Sequence, residues 1–455
     1  MMARNLGLVL GLVLAMWSVT VCPGGAAEPP APRLDLKEAL RLAWKANPNL
    51  QISRLQALIA GEEVVRARSG LLPQVTTQVG QTIYDDPLKF KFNLALPGQV
   101  GGLSFPQTNR NFWSSQTTVN QLLFDFWGTP SKYQAAIMGH QASLLDTTQT
   151  RDNVFMAVAQ GYFKTLRAKK MVQVAEQNVY DLKQHLKIAE DQYQFGVVTF
   201  NDVLQAKVSL ADAEQNLIVA RTDYIDTRSA FNKVLMLPVT APTVLKDENV
   251  VLKPWELERA TEVALKQRSD LKASVDRIRQ QEKTVTETRA QYFPKFYAQA
   301  GQIYQNNDSL VHNTQWFAIF GLTWNIFSGL DTKAAVSQAK IKVEQLQEQN
   351  KDLNEQVRLD VQNAYLQVKQ TADRIKTTET AVTQGAENLR LNEERYKESV
   401  GTATDVIDAE TLVTRTRVNY WTAVYDHQMA KAQMLWSIGS IAELLPQEKQ
   451  LNHVP

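Results

Sequence analysis

Two aspartates three residues apart, Asp405 and Asp408 in the stretch ATDVIDAE (403–410), are the most chemically pointed pair in this 455-residue chain. At that spacing both carboxylates lie on one helix face, where they attract cations and repel a like face brought against them. Nothing near them points to catalysis. His140, His185, His312, His427 and His453 are scattered without metal-ligand spacing, and His185 and His427 read as ordinary helix-surface residues. The chain has no Gly-rich phosphate loop, nucleophile elbow or CxxC pair. We therefore expect no enzyme, no cofactor and no metal centre. A net charge of +2 is too balanced to argue for nucleic acid or a polybasic membrane patch.

The aspartates sit just past a turn. A long polar helix runs into Tyr396, turns over at Val400-Gly401 and restarts at Thr402 or Thr404. Gly401 is expected to take the positive φ, and a Thr with Asp405 in the first turn signals an N-cap. The same punctuation occurs at YQFGVVTFNDVLQA (193–206), where Gly196-Val197 makes the turn and Asp202 follows Tyr193 at the spacing that separates Asp405 from Tyr396. Matching tips imply a duplicated chain. The first repeat is expected over 28–250, with helices within 36–69, strands at 74–84 and 112–124, and a helical hairpin over 131–235. The second is expected over 251–440, with helices within 257–291, strands at 295–305 and 315–327, and a hairpin over 332–438. A tail, 441–455, follows. Leu36 to Leu257 and Pro73 to Pro294 share one offset; Phe124 to Phe327, Tyr162 to Tyr365 and Tyr193 to Tyr396 share a shorter one. The difference falls on 85–111, rich in Pro, Gly and Asn and read as a loop.

Within each hairpin the apolar and small residues step alternately by three and four. The first seam runs Val158, Gly161, Thr165, Ala168, Val172, Ala175, Val179, Leu182, Leu186, Ala189, Tyr193. The second runs from Val361 through Ala364, Thr371, Gly385 and Leu389 to Tyr396. This is a coiled-coil seam, too narrow for a thick globular core.

The N-terminus reads as a signal peptide, 1–27: Arg4, an apolar run Leu6–Val21, and small residues Gly25-Ala26-Ala27 before Glu28. Cys22 is the only cysteine and sits where a bacterial lipoprotein cysteine would, although Val21 is larger than the residue expected before it; cleavage after Ala27 would remove it. No later apolar run reaches the roughly 20 residues of a membrane helix, so any crossing must be made by strands. Four strands of about 11 residues have that reach when tilted, but open edges in lipid leave costly unpaired backbone groups, so the sheet must close by association. Trp316, Ala318, Phe320, Leu322, Trp324 and Ile326 form one outward-facing row.

The duplicated plan, AQGYFKTLRAKKMVQVAEQNV (159–179), FGVVTFNDVLQA (195–206) and SVGTATDVIDAE (399–410) together resemble the TolC-type outer-membrane efflux proteins of Gram-negative bacteria over the whole mature chain. The resemblance implies a mainly α fold with a membrane β-barrel. Each repeat would contribute two strands and a long helical hairpin, and a homotrimer would form a 12-stranded barrel above a periplasmic α-helical tunnel. It implies a passive exit duct in outer-membrane lipid, extending into the periplasm, for tripartite efflux or type I secretion. Its partners would be a periplasmic adaptor (membrane fusion) protein and an inner-membrane transporter of RND, ABC or MFS type. By the same resemblance Asp405 and Asp408 line the narrowest point, and Asn201, Asp202 and Tyr396 belong to a network linking the hairpins. The network's basic partner is missing, because Gly401 stands at its position; Lys397 or Arg395 are nearby substitutes. The turns Gly196-Val197 and Val400-Gly401 would contact the adaptor. A soluble periplasmic coiled-coil adaptor or structural protein is the other reading; it leaves the aromatic-rich strands unexplained.

Overall fold

The computed structural model describes residues 33–92 and 103–445. The expected signal peptide, Cys22 and most of the tail lie outside the described residues. In the first repeat β1 (Arg33–Leu34) leads into α1 (Leu36–Ala46) and α2 (Pro48–Ser69). Asp35 and Glu38 close a capping box on α1, and Asn47 caps α2 ahead of Pro48 at its first position. Next come β2 (Gln74–Ile83), β3 (Lys89–Phe92), β4 (Leu103–Pro106), β5 (Asn111–Phe124), α3 (Gly128–Gln194), α4 (Phe200–Val234) and β6 (Val244–Leu245). The second repeat holds α5 (Leu257–Gln267), α6 (Ser269–Arg289), β7 (Lys295–Gln305), β8 (Thr314–Thr323), α7 (Asp331–Lys397) and α8 (Ala403–Ser437).

The helical hairpins of the two repeats agree to the residue. α3 and α7 each span 67 residues and α4 and α8 each span 35. A 67-residue helix is about 100 Å long, far more than a compact domain requires. Both long helices begin three residues or fewer from where the pattern placed them, and for the same reason. Phe126 and Trp127 in one repeat, Gly329 and Leu330 in the other, all take left-handed φ (52°, 68°, 63°, 74°) where strand turns into helix. Asp125 then accepts from the Thr129 N–H at 2.6 Å, and the Ser328 hydroxyl oxygen from the Thr332 N–H at 3.3 Å, each satisfying an orphan donor of the first turn.

The expected loop at 85–111 instead contains the antiparallel hairpin β3–β4, with Phe90 opposite Phe105. KFKF and LSFP each alternate, but over four residues that signal is drowned by the surrounding turn-forming composition. The main sheet is antiparallel in the order β2-β5-β7-β8, so β2 and β8 are free edges in the single chain. Residues directly opposite share a face. Val75 pairs with Val119, Val119 with Ala300, and Ala300 with Ala318, which aligns Val79, Ile83, Trp113, Ala298, Trp316, Phe320 and Leu322 on that same face. The opposite face carries Gln74, Thr76, Gln78, Ser114, Gln116, Thr118, Asn120 and Gln299. The first face is mostly apolar and aromatic; the second is mostly polar but also carries Phe112, Tyr297, Ile303, Phe317 and Ile319. β8 stops at Thr323, so Trp324 and Ile326 do not extend its row; the Trp324 indole N–H donates to the Tyr292 carbonyl at 3.0 Å, which turns it towards the strand's base.

The thick core lies at the middle of the long helices. Val154–Leu166 of α3 and Val357–Ala364 of α7 pack there with Tyr425–Leu435 at the C-terminal end of α8 and Ile438 just beyond it, and α1, α5 and the β1–β6 ladder wrap around them. Tyr162, fully buried, donates its hydroxyl to the carbonyls of Leu34 and Lys246 and so ties that ladder to α3. Towards the tips only thin clusters remain: Ala189 with Val203 and Ala206, and Leu389, Tyr396, Ala403, Val406, Ala409 and Val413. Few buried apolar groups mean cheap local opening there. Along the seams Val158, Leu182, Ala189, Val361 and Leu389 are buried, whereas Tyr193 is exposed and tilts against Phe200 at 5.4 Å. Among the described residues, no helix is long and apolar enough to cross a membrane.

Candidate functional site at the hairpin tips

The two tips are built by one hydrogen-bond pattern. In the first, the Gly196 N–H donates to the Tyr193 carbonyl at 3.0 Å and the Val197 N–H to that of Gln192 at 2.9 Å. In the second, Ser399 donates to Tyr396 at 3.0 Å and Val400 to Arg395 at 2.8 Å. This is a Schellman closure, whose key residue is left-handed: Gly196 at φ 71° and Ser399 at φ 61°. The positive φ expected of Gly401 thus falls on Ser399. Gly401 is small for a different reason, since a Cβ there would lie 3.2 Å from both the Arg395 Cβ and the Tyr396 N. Ser399→Gly is expected to stabilise the tip by about 1 kcal/mol by relieving left-handed strain. The check is a slower amide exchange at Glu398–Thr402; unchanged or faster exchange would show that the serine carries no strain.

Each restarting helix opens with a capping box. The Thr199 N–H and hydroxyl reach Asp202 Oδ2 at 2.9 and 2.8 Å, and the Thr402 N–H and hydroxyl reach Asp405 Oδ2 at 3.0 and 2.8 Å. The Thr402 N–H and hydroxyl, helped by the Arg395 charge, hold the Asp405 carboxyl below the usual carboxylate range. Asp405 and Asp408 are both exposed, turned away from the Val406, Ala409 and Val413 face that α8 buries. Asn201 is exposed too, as are Gly196, Val197 and Val400, so both turns are open to a partner.

Asp202 is half-buried and engaged by its own cap, and Tyr396 is buried, its ring 5.1 Å from that of His185. Its hydroxyl has no hydrogen-bond partner among the described residues; burial first, then the Asp202 charge, push the phenol up. His185 is no surface residue. It is buried, its Nε2 unpartnered, and burial pushes its imidazole down, favouring the neutral form. His427 is half-buried with Nδ1 2.9 Å from the Thr371 hydroxyl. Lys397 lines a cavity of about 290 Å³ with Asp181, His185, Glu393 and Tyr396, while Arg395 backs the second turn.

The contacts that join one hairpin to the other were not legible from spacing. The Gln192 side-chain N–H donates to the Tyr396 carbonyl at 3.2 Å, the Thr404 hydroxyl to Gln205 at 3.3 Å and the Thr414 hydroxyl to Asn178 at 3.2 Å. Arg417 stands 3.7 Å from Asp181. Beside them Glu410 is buried; desolvation, then the Asp181 charge, push its carboxyl up to about 8 against the smaller pull of Arg417. Among the described residues, no group of three or more His, Cys, Asp or Glu side chains is placed to hold a metal ion.

The family model described as outer membrane efflux protein matches residues 39–235 and 260–440, once per repeat. The chain belongs to the outer membrane efflux protein family. Its members are passive channels of the Gram-negative outer membrane, and this chain is such a protein rather than an enzyme. It is 20% identical over 421 residues to the outer membrane protein TolC of Vibrio cholerae, covering 90% of this chain and 91% of that one. It is 24% identical over 317 residues to the pyoverdine export outer membrane protein OpmQ of Pseudomonas putida, covering 69% and 67%. Among solved structures its fold matches the Campylobacter jejuni channel CmeC at TM-score 0.77 and 16% identity, covering 89% and 86%. It matches VceC of Vibrio cholerae at TM-score 0.76 and 18% identity, covering 89% and 96%.

Proposed function

We propose that three copies of this efflux-family chain close into one passive exit duct, with the hairpin tips as its periplasmic gate. The observation that carries this is the sheet: one mostly apolar, aromatic face, one mostly polar face and two unpaired edges, β2 and β8. Strands of 10 to 14 residues tilted by about 45° rise roughly 24–34 Å, enough to cross a lipid-facing band of about 25 Å. In lipid the edges must pair, and three four-stranded sheets joined edge to edge make a closed barrel with a polar lumen. Exposed apolar stripes on α2 (Ile52, Leu55, Ile59) and α4 (Leu204, Val208, Ile218, Ile225) supply surface for neighbouring copies along the tunnel. A soluble adaptor has no use for the aromatic sheet face.

Relatives named for pyoverdine export and alkaline protease secretion support a role in efflux or secretion, with an adaptor at the tips and an inner-membrane transporter of RND, ABC or MFS type supplying the energy. The test is the native mass in detergent together with conductance in planar bilayers. Three chains per particle and a small cation-selective current are expected. A monomer soluble without detergent, silent in bilayers, would overturn the reading.

A further inference from the structure

Glu410 shares α8 with the exposed aspartates but faces inward. Only 3% of it is exposed, and neither of its side-chain oxygens has a hydrogen-bond partner among the described residues. A carboxylate so enclosed needs a donor or a proton. Its surroundings are mostly acidic. Asp181 of α3 is within hydrogen-bond reach, and Glu393 of α7 adds a second negative charge. Asp212 of α4 and Arg415 of α8 line the same cavity, of about 380 Å³, while Arg417 of α8 stands 3.7 Å from Asp181, its Nη1 making no hydrogen bond among the described residues. His185, one turn along α3, is pushed towards its neutral form by burial.

The two helices meet here through matched polar stripes. Glu410, Thr414 and Arg417 fall on one face of α8; Asn178, Asp181 and His185 fall on one face of α3. Thr414 bonds Asn178, and Arg417, at 3.7 Å from Asp181, is too far to hydrogen-bond it, which leaves Glu410 and Asp181 to satisfy each other. Two carboxyl groups can do so only with one proton between them.

We propose that Glu410 and Asp181 share one proton across the α3–α8 contact, forming a pH-sensitive pin between the first and second helical hairpins. The pin rests on reading the tips as a gate. When it is made, the Glu410 O–H donates to the Asp181 carboxylate. When it breaks, that proton passes to water in the adjoining cavity, and two carboxylates then face each other across a helix contact with a thin apolar seam. A Glu410 freed into water would return to its ordinary value of 4.5, whereas in the pinned state its carboxyl is raised. Below both values each state holds the proton and pH has no effect. As pH rises between them only the pinned state holds it, so the pin loses ground steadily and the loss is complete once the raised value is passed. Acid closes the tips; alkali releases them.

The test is hydrogen exchange of Ala403–Arg417 in the full-length protein in lipid, with intrinsic rates divided out, alongside conductance. From about pH 5 to about pH 8, protection of this segment should fall by up to about tenfold per pH unit, the dependence of a one-proton step. Protection of Val357–Ala364 in the central core should stay flat. Glu410→Gln, which cannot ionise, should abolish the fall, and Asp181→Asn, which can donate to an ionised Glu410, should move it to lower pH. A flat wild-type profile, or an unchanged fall in both variants, would overturn the pin. A fall that depends on Glu410 in a protein that conducts nothing would uphold the pin and sink the duct reading instead.

Discussion

Alanine at both Asp405 and Asp408 is expected to raise single-channel conductance several-fold and to erase most of the cation selectivity. In a threefold assembly these residues would place six carboxylates around one axis at the tips. Like charges a few ångströms apart in a narrow pore hold back anions, favour cations and resist closer packing of the helices that carry them. Both side chains are exposed in the single chain, so neither is committed to its own hairpin's seam. Asp405 has a second duty, because its Oδ2 completes the capping box with Thr402. The double variant therefore also loosens the first turn of α8. Asp408→Ala alone separates the two effects, since it removes charge and leaves the cap. The charge effect should shrink in about 1 M salt, where screening acts over about 3 Å, while a cap effect should persist. Conductance unchanged in the double variant would discard the aspartates as gate residues.

The largest stability effect is expected far from the tips, at Arg268. It stands between α5 and α6, with only 6% of its side chain exposed. The guanidinium reaches Asp270 at 2.6 Å and Asp360 of α7 at 2.8 Å, and lies 5.0 Å from the Trp436 ring of α8. Gly439, at φ 75°, lets the chain after α8 close against its backbone. One side chain thus binds three elements of the second repeat. Arg268→Met removes the cation and leaves two part-buried carboxylates facing each other, a loss of about 3–5 kcal/mol. Arg268→Lys should recover only part, because a single ammonium cannot serve two carboxylates as the guanidinium fork does. The guanidinium chloride midpoint followed by helical circular dichroism is the measurement. An unchanged midpoint in Arg268→Met would mean that water already satisfies Asp270 and Asp360. Conductance of the folded variant should match wild type, since the tips are untouched.

Much of this architecture is legible in local patterns. The offset from Tyr193 to Tyr396 relates both ends of α3 to α7 and of α4 to α8. The boxes Thr199–Asp202 and Thr402–Asp405 lie within four residues, and the alternation that divides the sheet into a mostly apolar and a mostly polar face has a period of two. Where the pattern was short or mixed it misled. β3 and β4 were hidden in a Pro- and Gly-rich stretch, and Gly401 drew the positive φ that Ser399 actually bears.

The sequence by itself determined the duplication, the lengths of the hairpins, their capped tips and the two-faced strands. Each of these depends on residues within one or two turns of each other, where propensity and periodicity act directly. Only the tertiary structure decided that Tyr396 packs on His185 while Tyr193 stays exposed, that Arg268 meets Asp360, and that Glu410 is enclosed beside Asp181. Those pairs join elements far apart in the chain, and no local spacing records them. The helix rotation that turns Glu410 inward and Asp408 outward is set by which neighbour α8 packs against, a choice made when the hairpins come together.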